Sequence, residues 1–344
     1  MIDCIQCGSR PAAACFTLCV DCLRAYPHQD NLVQLHTHAR EKYGLKGRPP
    51  DSEDGVQCTC CVNRCRMGEG EWGYCGIRIN RGGRLTERTP AGSALAHAYL
   101  DRLPTNCCAA WFCKGSREQG HNLAVFFYGC SFDCFFCQNA EHKYLEEAPR
   151  MTGDEIVEKA LGPTVRCVCF FGGTPEPQLP FALRVAERIT ERSGGSRHIC
   201  WEWNGTADPR LAVKAAELSR KTGGTVKFDL KAFTPNLHLA LCGTDNRRTL
   251  ENFRMLVELY AGEELVTAVT LLVPYYVDAG EVELLASFIA EIDTGTPYSL
   301  LVFHPDFLMG DLPVTPRVQV NDCYEAARTY LNRVNVGNRQ LLLD

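Results

Sequence analysis

The chain has 344 residues, which is enough for one large α/β domain with a smaller appendage around a substantial core. Hydrophobic residues make up 45% and charged residues 22% of it, and the net charge of −5 argues against nucleic-acid binding as its main activity. Since it has no run of about 18 apolar residues and its first residues lack the basic and apolar parts of a secretory signal, we expect a cytoplasmic protein without a membrane span.

Cysteine is unusually frequent, with 21 in the chain, and most of these residues lie in clusters. Because reducing compartments keep thiols free, such clusters indicate bound metal rather than disulfides. Five cysteines stand apart from the clusters: Cys167, Cys169, Cys200, Cys242 and Cys323. We expect these five to be small buried hydrophobic side chains.

Residues 1–45 are predicted to form a cysteine-rich segment followed by a helix. Two C-x-x-C pairs supply four thiols: Cys4, Cys7, Cys19 and Cys22. This spacing is typical of a four-thiolate zinc ribbon, in which each pair occupies two tetrahedral corners, although an iron–sulfur centre and a redox dithiol are alternatives. A helix is predicted from Asp30 to Tyr43, with His36 and His38 at solvated positions rather than as metal ligands.

A second cysteine-rich, metal-binding region is predicted over residues 56–115, after a polar linker rich in Pro and Gly at residues 46–55. Four of its thiols have the spacing of another metal site: Cys58, Cys61, Cys65 and Cys75. Cys60 is an alternative to Cys58 or Cys61, and spacing alone leaves both zinc and a second iron–sulfur cluster open. A third group could donate to either site: Cys107, Cys108 and Cys113.

From residue 116 to residue 344, strands and helices are predicted to alternate. Strands are predicted at Leu123–Tyr128, Val165–Phe171, His198–Trp203, Thr225–Leu230, Leu265–Val273 and Tyr298–Phe303. Helices are predicted from a capping box at Thr152 to Leu161, and at Gln178–Glu191, Asp208–Thr222, Asn246–Tyr260, Gly280–Ile292 and Asp322–Val334. This alternation predicts an α/β fold with a parallel sheet, or a partial (β/α)6 TIM-type barrel made from it, preceded by the cysteine-rich N-terminal region.

Three cysteines follow directly on the first predicted strand: Cys130, Cys134 and Cys137. A [4Fe–4S] cluster has four iron corners, and thiolates usually occupy all of them. Three close cysteines would ligate three irons and leave the fourth open for a substrate or cofactor. Because chemistry in parallel sheets lies at the carboxyl ends of the strands, we expect this group to be the catalytic one.

Polar or flexible residues also lie at the ends of four of the other predicted strands. They are Gly172, Gly173, Thr174 and Glu176 at the second strand, Glu202 and Asn204 at the third, Asp229 and Lys231 at the fourth, and His304 at the sixth. The glycines would allow a ligand to approach the backbone closely, and the two-residue period of a strand points Asp229 and Lys231 the same way. We expect all these residues to face one rim, where they would suit a zwitterionic ligand with a ribose.

The spacing Cys130-x3-Cys134-x2-Cys137, with Phe136 before the last cysteine, resembles the signature of the radical S-adenosylmethionine (SAM) superfamily. Gly172-Gly-Thr-Pro-Glu-Pro177 is similar to the double-glycine motif of that superfamily. Two segments resemble the branch that contains pyruvate formate-lyase activating enzyme: Asp229-Leu-Lys231 and residues 243–252. A closer resemblance, to AmmeMemoRadiSam-type proteins, covers roughly residues 58–320 and rests on Cys61-x3-Cys65-Arg, residues 73–78, residues 127–130, Cys137-Gln-Asn139 and residues 303–307.

This resemblance implies a [4Fe–4S] cluster held by the three cysteines, with SAM bound at the open iron. SAM would be cleaved to methionine and a 5′-deoxyadenosyl radical, which would abstract hydrogen from a substrate. A reductant such as flavodoxin or ferredoxin would supply the electron. Phe136 would pack near the adenine, and Glu176 or backbone carbonyls would hold the methionine amino group.

The resemblance also implies roles for the remaining residues at the strand ends. Glu202 and Asn204 would contact the ribose or the carboxylate of SAM. Asp229 and Lys231 would line the cofactor or the substrate side. His304 would contact the substrate or donate a hydrogen bond to the cofactor.

No particular substrate follows from the resemblance. Because extra cysteine sites occur in many superfamily members that modify peptides, we expect a protein or peptide, either activated as a glycyl-radical partner or modified at a side chain. A small metabolite is the alternative within the superfamily. A non-catalytic metal protein, such as an electron carrier or a zinc-ribbon adaptor, would explain the first 80 residues but not the polar strand ends of the α/β half.

Overall fold

A computed structural model describes residues 1–105 and 107–342 of the chain. Its strands are β1 (Ile2–Asp3), β2 (Pro11–Ala12), β3 (Val56–Gln57), β4 (Arg66–Met67), β5 (Arg78–Arg81), β6 (Arg84–Glu87), β7 (Ser93–Arg102), β8 (His121–Phe127), β9 (Arg150–Thr152), β10 (Val165–Gly172), β11 (His198–Trp203), β12 (Val226–Asp229), β13 (Val266–Leu272), β14 (Tyr298–Val302) and β15 (Val334–Gly337). Its α-helices are α1 (Val20–Arg24), α2 (Gln29–Glu41), α3 (Gly153–Ala160), α4 (Leu179–Arg192), α5 (Pro209–Thr222), α6 (Pro235–Cys242), α7 (Arg247–Leu259), α8 (Ala279–Ala290) and α9 (Arg317–Tyr330). Within the two described ranges, every helix is too short or too polar to cross a bilayer.

The chain divides into two compact units, each assembled from separate stretches of sequence. The first unit comprises Met1–His36, Phe132–Gln138 and Phe228–Asp344, of which residues 343 and 344 lie outside the described part. The second unit comprises Thr37–Ser131 and Asn139–Lys227. The division of the sequence at residues 1–45, 56–115 and 116–344 stays a prediction, and its last two residues are not described.

All six predicted strands are present, as β8, β10, β11, β12, β13 and β14. Their continuous apolar runs are typical of strands covered on both faces, and every residue of β13 is buried. The sequence does not predict β7. Only the first four residues of this ten-residue strand are buried, and the remaining residues are partly or fully exposed and lack an apolar run.

Most helices begin and end where the capping residues predict. The Thr152 side chain accepts a hydrogen bond from Glu155 N (3.2 Å), and the Glu155 carboxylate accepts one from Thr152 N (2.7 Å), which confirms the capping box of α3. Asp208 caps α5, which ends at Gly223 with a φ of 71°.

The predicted C-terminal helix at Asp322–Val334 is present, but its predicted bounds are wrong. The helix α9 begins five residues earlier, after Pro316, and its buried residues Val320, Cys323 and Ala327 follow the helical period. Leu331 is already extended, and Val334 starts the strand β15 instead. The sequence also does not predict α6, a short helix of eight residues.

In the second unit the strands lie in the order β11, β10, β8, β7, β9. β8, β10 and β11 are parallel, whereas β7 runs antiparallel to both β8 and β9. The carboxyl ends of the three parallel strands, at Phe127, Gly172 and Trp203, therefore lie at the same edge.

In the first unit the strands β13, β14 and β15 are parallel neighbours, and β12 lies next to β13. The N-terminal cysteine segment packs on this unit, because the Tyr276 hydroxyl accepts a hydrogen bond from Ala13 N (2.8 Å) and donates one to the Leu18 carbonyl (2.8 Å). The fold is mixed α/β with a mainly parallel sheet and a cysteine cluster near the N-terminus, as the sequence predicts.

Candidate functional site

The ends of β8, β10 and β11 meet around Cys130 in the second unit. Its Sγ lies 3.3 Å from the carbonyl oxygen of Gly173 and 3.3 Å from Nδ2 of Asn204. The same Asn204 amide donates a hydrogen bond to Ser131 Oγ (3.2 Å). Residues that are far apart in sequence are therefore brought to one edge by the parallel strands, while their role in binding a cofactor stays a prediction.

Gly172 and Gly173 are required by the close approach of two backbone segments. Gly172 has a φ of 119°, and a Cβ there would lie 2.5 Å from Phe127 N. A Cβ at Gly173 would lie 2.5 Å from the carbonyl oxygen of Gly129. Side chains at these positions would push the segment after β10 away from the segment that leads to Cys130.

Glu176 is fully buried and accepts hydrogen bonds from two threonines. Oε1 accepts from Thr206 N (3.0 Å) and Thr206 Oγ1 (3.3 Å), and Oε2 accepts from the Thr174 hydroxyl. Burial raises the pKa of Glu176, and these hydrogen bonds act in the opposite direction. Because Thr206 also contacts Ser131 Oγ (2.9 Å), Glu176 supports the segment after Cys130. This arrangement favours backbone carbonyls, rather than Glu176, as the group that would hold a ligand's amino group.

The contacts of Glu202 differ from those of Asn204. Glu202 Oε2 lies 3.3 Å from Lys227 Nζ, inside a cavity of the second unit, whereas Asn204 follows the end of β11 and contacts Cys130. The two-residue period of the strand places Glu202 on the same face as Cys200. Glu202 and Asn204 therefore have different neighbours. That both of them contact the same ligand stays a prediction.

Cys134 and Cys137 lie in the first unit, on the segment Phe132–Gln138. Two backbone hydrogen bonds join this segment to the end of α6, from Asp133 N to the Cys242 carbonyl (2.8 Å) and from Phe135 N to the Leu241 carbonyl (3.0 Å). The helix α6 thus holds the middle of the cysteine motif in a defined conformation.

The prediction that His36 is solvated is wrong. Its side chain is 1% exposed, Nδ1 lies 2.8 Å from Asp133 Oδ2, and Nε2 lies 2.9 Å from the Ala240 carbonyl. The signal was present in the sequence, because His36 lies four residues after the buried Leu32, on the apolar face of α2. His38 is exposed, as expected.

Around Cys134 the first unit places an acid, a cation and an aromatic ring. Lys231 forms an ion pair with Asp229, and Lys231 Nζ lies 5.6 Å from the centroid of the buried Phe136 ring. Burial by itself would lower the pKa of Lys231, but the Asp229 carboxylate together with the Cys134 and Cys242 thiols raises that pKa. The pairing agrees with the two-residue period by which Asp229 and Lys231 point the same way.

The thiols of the motif suit an iron–sulfur cluster. A hydrogen bond shared with Cys242 and burial both raise the pKa of Cys134, so a bound metal would be needed to hold this sulfur as a thiolate. Lys231 acts in the opposite direction, and the Asn204 amide is a donor to the Cys130 sulfur. Three thiols within eight residues fit a [4Fe–4S] cluster that keeps one open iron, and their role as its ligands stays a prediction.

His304 is half-exposed and lies two residues after the end of β14. Its Nδ1 lies 3.3 Å from the Pro305 carbonyl and 3.8 Å from Asp306 Oδ2. These contacts are local in sequence, so the role of His304 toward a substrate or cofactor stays a prediction.

The four thiols of the N-terminal segment converge on one point: Cys4, Cys7, Cys19 and Cys22. Their sulfurs all lie within 4.8 Å of one another, and those of Cys7 and Cys19 are 3.8 Å apart. Four sulfurs at zinc–sulfur distances of about 2.3 Å in a tetrahedron are about 3.8 Å apart. The geometry fits the predicted single-ion ribbon site.

The second cysteine-rich region surrounds a small cavity in the second unit. Five of the eight thiols of the region line it: Cys58, Cys60, Cys61, Cys65 and Cys75. Arg78 also lines this cavity, and its guanidinium donates to the Pro177 carbonyl (2.5 Å) and pairs with Glu87 (2.8 Å). A hydrogen bond from Cys60 lowers the pKa of Cys58 to about 6. Because all five of these thiols line the cavity, Cys60 stays an alternative ligand. The identity of the metal, zinc or an iron–sulfur cluster, stays open.

All five scattered cysteines are buried, as predicted: Cys167, Cys169, Cys200, Cys242 and Cys323. Three of them, Cys167, Cys169 and Cys200, also line a second cavity of the second unit. Cys107 and Cys113 line this second cavity and not the one that Cys58 lines, and their role as ligands, like that of Cys108, stays a prediction. Cys242 contacts Cys134.

Residues 124–289 match the profile of the Radical SAM superfamily. The chain is 26% identical over 271 residues to an uncharacterized protein of Methanocaldococcus jannaschii, a match that covers 77% of this chain and 75% of that protein.

Three solved structures are similar to parts of the chain at identities below 20%. A domain of pyruvate-formate lyase-activating enzyme from Bacteroides vulgatus has a TM-score of 0.42 at 18% identity and covers 50% of this chain and 98% of its own. A radical SAM methyltransferase from Sphaerobacter thermophilus has a TM-score of 0.48 at 16% identity over 64% of this chain and 70% of its own. SuiB of Streptococcus suis, bound to its precursor peptide SuiA, has a TM-score of 0.49 at 16% identity over 63% of this chain and 48% of its own.

Proposed function

We propose that the chain is a radical SAM enzyme that reductively cleaves SAM and abstracts hydrogen from a protein or peptide, because residues 124–289 match the profile of that superfamily. The observation that supports this proposal most directly is the meeting of three strand ends at Cys130, within the matched residues 124–289. We place the enzyme in the cytoplasm, with flavodoxin or ferredoxin as its electron donor.

Cys130, Cys134 and Cys137 would hold the [4Fe–4S] cluster. When reduced, such a cluster supplies the electron that converts SAM to methionine and a 5′-deoxyadenosyl radical, and this radical removes hydrogen from the substrate. The Asn204 amide donates to the Cys130 sulfur and would stabilise its thiolate form. Lys231 places a positive charge near Cys134, which favours the thiolate there as well. Phe136, buried beside Lys231, would exclude water from the same region.

A protein or peptide substrate is favoured by the two cysteine-rich regions outside the matched residues. The N-terminal segment, which we propose binds zinc, also exposes apolar side chains that a macromolecular partner could cover: Met1, Ile2 and Ile5, at 53%, 40% and 73% exposure. The reaction would be glycyl-radical activation or modification of a side chain. A small metabolite is the second candidate, and a non-catalytic metal carrier is the third.

The test is SAM cleavage by the full chain after anaerobic reconstitution with iron and sulfide. Reduced wild-type protein is expected to release 5′-deoxyadenosine, whereas Cys134→Ala abolishes this release because one iron loses its ligand. Zinc bound at the N-terminal segment should be unchanged in Cys134→Ala. The matched control is Cys323→Ala, which removes a fully buried thiol outside every cluster and should retain cleavage.

Two results would contradict this function. They are the absence of iron after reconstitution, and 5′-deoxyadenosine release that persists in Cys134→Ala. The substrate class is tested separately, by mass spectrometry of a candidate protein partner after incubation with the reduced enzyme and SAM.

A further inference from the structure

A cavity of about 260 Å³ lies inside the second unit, and sulfur forms much of its lining. Five thiols face it: Cys107, Cys113, Cys167, Cys169 and Cys200. Only Cys107 and Cys113 belong to a recognisable cluster in the sequence. The function proposed above uses none of these five thiols.

The strand period explains why the thiols share this cavity. Cys167 and Cys169 are two residues apart on β10, so both side chains leave the same face of the strand. Cys169 is the register partner of Cys200 on the parallel neighbour β11. The three strand thiols therefore form one continuous patch.

The segment between β7 and β8 supplies the other two thiols. Its two ends are joined by the hydrogen bond from Leu103 N to the Gly120 carbonyl (3.0 Å), and Glu118 Oε1 lies 2.7 Å from Nε2 of His198 at the start of β11. A Cβ on Gly115 would lie 2.9 Å from Cys167 Sγ, so this segment approaches β10 as closely as glycine permits. Cys107 and Cys113 are thereby brought to the patch on the strands.

A buried cation lies among these sulfurs. The Lys227 side chain is 1% exposed, and its ammonium donates to Cys169 Sγ (3.2 Å) and to Cys107 Sγ (3.4 Å). Glu202 Oε2 lies 3.3 Å from the same nitrogen. A buried ammonium is costly unless anions surround it, and thiolates at Cys107 and Cys169 would complete the set of anions that Glu202 begins.

We propose that this cavity holds a second iron–sulfur cluster, separate from the one at Cys130, with its thiolate ligands drawn from Cys107, Cys113, Cys167, Cys169 and Cys200. Thiolates packed together repel one another, and bound iron removes that repulsion. Lys227 would offset the remaining negative charge and donate hydrogen bonds to the sulfurs.

The spread of the thiols favours a cluster over one metal ion. Ligands of a single tetrahedral ion lie about 3.8 Å apart, as those of the N-terminal segment do. Among the described residues, no three of the cavity thiols have all their sulfurs within 4.8 Å of one another. Thiolates of a four-iron cluster bind different irons and are separated by the cluster itself.

The test counts iron in the full chain with the Cys130 group removed. Reconstituted protein with Cys130→Ala, Cys134→Ala and Cys137→Ala should keep a [4Fe–4S] absorption and electron paramagnetic resonance signal from the cavity. Adding Cys107→Ser and Cys169→Ser should remove about four iron atoms and as many sulfides per chain. The matched control adds Cys242→Ser and Cys323→Ser instead, which changes two fully buried cysteines that do not line the cavity and should leave the iron unchanged.

A second variant tests the site without removing a ligand. Lys227→Met deletes the positive charge and two donors to sulfur, so the cluster should be reduced at a lower potential than in the wild type. Lys214→Met, on the exposed side of α5, should leave the potential unchanged.

Three outcomes would overturn the proposal: iron that is unaffected by the Cys107 and Cys169 changes, an equal loss in the Cys242 and Cys323 control, or zinc instead of iron at the cavity. These results are independent of the proposed function, because they are read in a chain without the Cys130 group. A failure of SAM cleavage in the wild type would contradict the function and leave the iron count intact.

Discussion

Asn204 joins the sheet to the cysteine motif through a single amide group. Its Nδ2 lies 3.3 Å from Cys130 Sγ and 3.2 Å from Ser131 Oγ, and its side chain is buried. A buried N–H directed at sulfur stabilises the thiolate and tunes the metal bound to it. We therefore expect Asn204 to position Cys130 as a cluster ligand.

We expect Asn204→Ala to reduce the rate of SAM cleavage about tenfold and to shift the potential of the Cys130 cluster. Asn204→Asp keeps the size of the side chain but loses the N–H donor, so it should behave in the same way. Both effects are measured by 5′-deoxyadenosine release and by redox titration of the reconstituted protein. The control Asn332→Ala, at an exposed position, should match the wild type, and a normal potential in Asn204→Ala would contradict this role.

At the scale of elements, Arg24 ties the N-terminal helix α1 to the start of α8 in the first unit. Its guanidinium pairs with Asp278 Oδ1 (2.7 Å) and Glu281 Oε2 (3.0 Å). Glu281 is fully buried and also accepts from Phe233 N (2.6 Å) and Thr234 N (2.6 Å). The cation thus balances a carboxylate that joins three segments of the chain.

Arg24→Met should lower the free energy of unfolding by about 2 kcal/mol, because a buried carboxylate loses its charged partner. Urea unfolding measures the loss, and hydrogen exchange should show faster exchange in α1. Arg10→Met is the matched control, since Arg10 pairs with Asp21 at an exposed site (2.8 Å) and should change stability by less than about 0.5 kcal/mol. Equal losses in the two variants would refute the link between α1 and α8.

At the scale of the whole molecule, the buried His238 makes stability depend on pH. Its Nδ1 lies 2.7 Å from the Thr244 carbonyl, and the Phe132 ring packs against it at 5.1 Å. Burial lowers the pKa of His238 from 6.5 to about 4. Protonation therefore favours the unfolded chain, and the stabilisation from the neutral ring is complete above pH 6.5 and lost as the pH falls toward 4.

We expect the wild type to lose about 3 kcal/mol of stability from this group between pH 6.5 and pH 4. His238→Gln, which does not titrate there, should show a correspondingly smaller decrease over the same range. Urea unfolding at several pH values provides the comparison. His28→Gln, at an exposed position, should keep the wild-type slope, and identical slopes for His238→Gln and wild type would exclude this origin.

Much of the molecule follows from local patterns. The six strands of the α/β half are long apolar runs, and α3 and α5 begin with residues that cap a helix through their own neighbours. The cysteine spacing at Cys4–Cys22 and Cys130–Cys137 is also local, because each motif places its thiols on one short segment. Prediction is incomplete where an element depends on a partner that is distant in sequence. The strand β15 forms because β14 provides a parallel edge for it, and the helix α9 ends before β15 begins.

By itself, the sequence determined the α/β class, the position of the cysteine motif after the first strand of the α/β half, and the set of residues near its strand ends. Tertiary structure alone decided which of these residues meet. It turned Asn204 toward Cys130 and Glu202 toward Lys227, buried His36 against Asp133, and collected five thiols in one cavity. The physical reason is that spacing along a chain specifies the direction of a side chain within its element, whereas its partner depends on which element packs beside it.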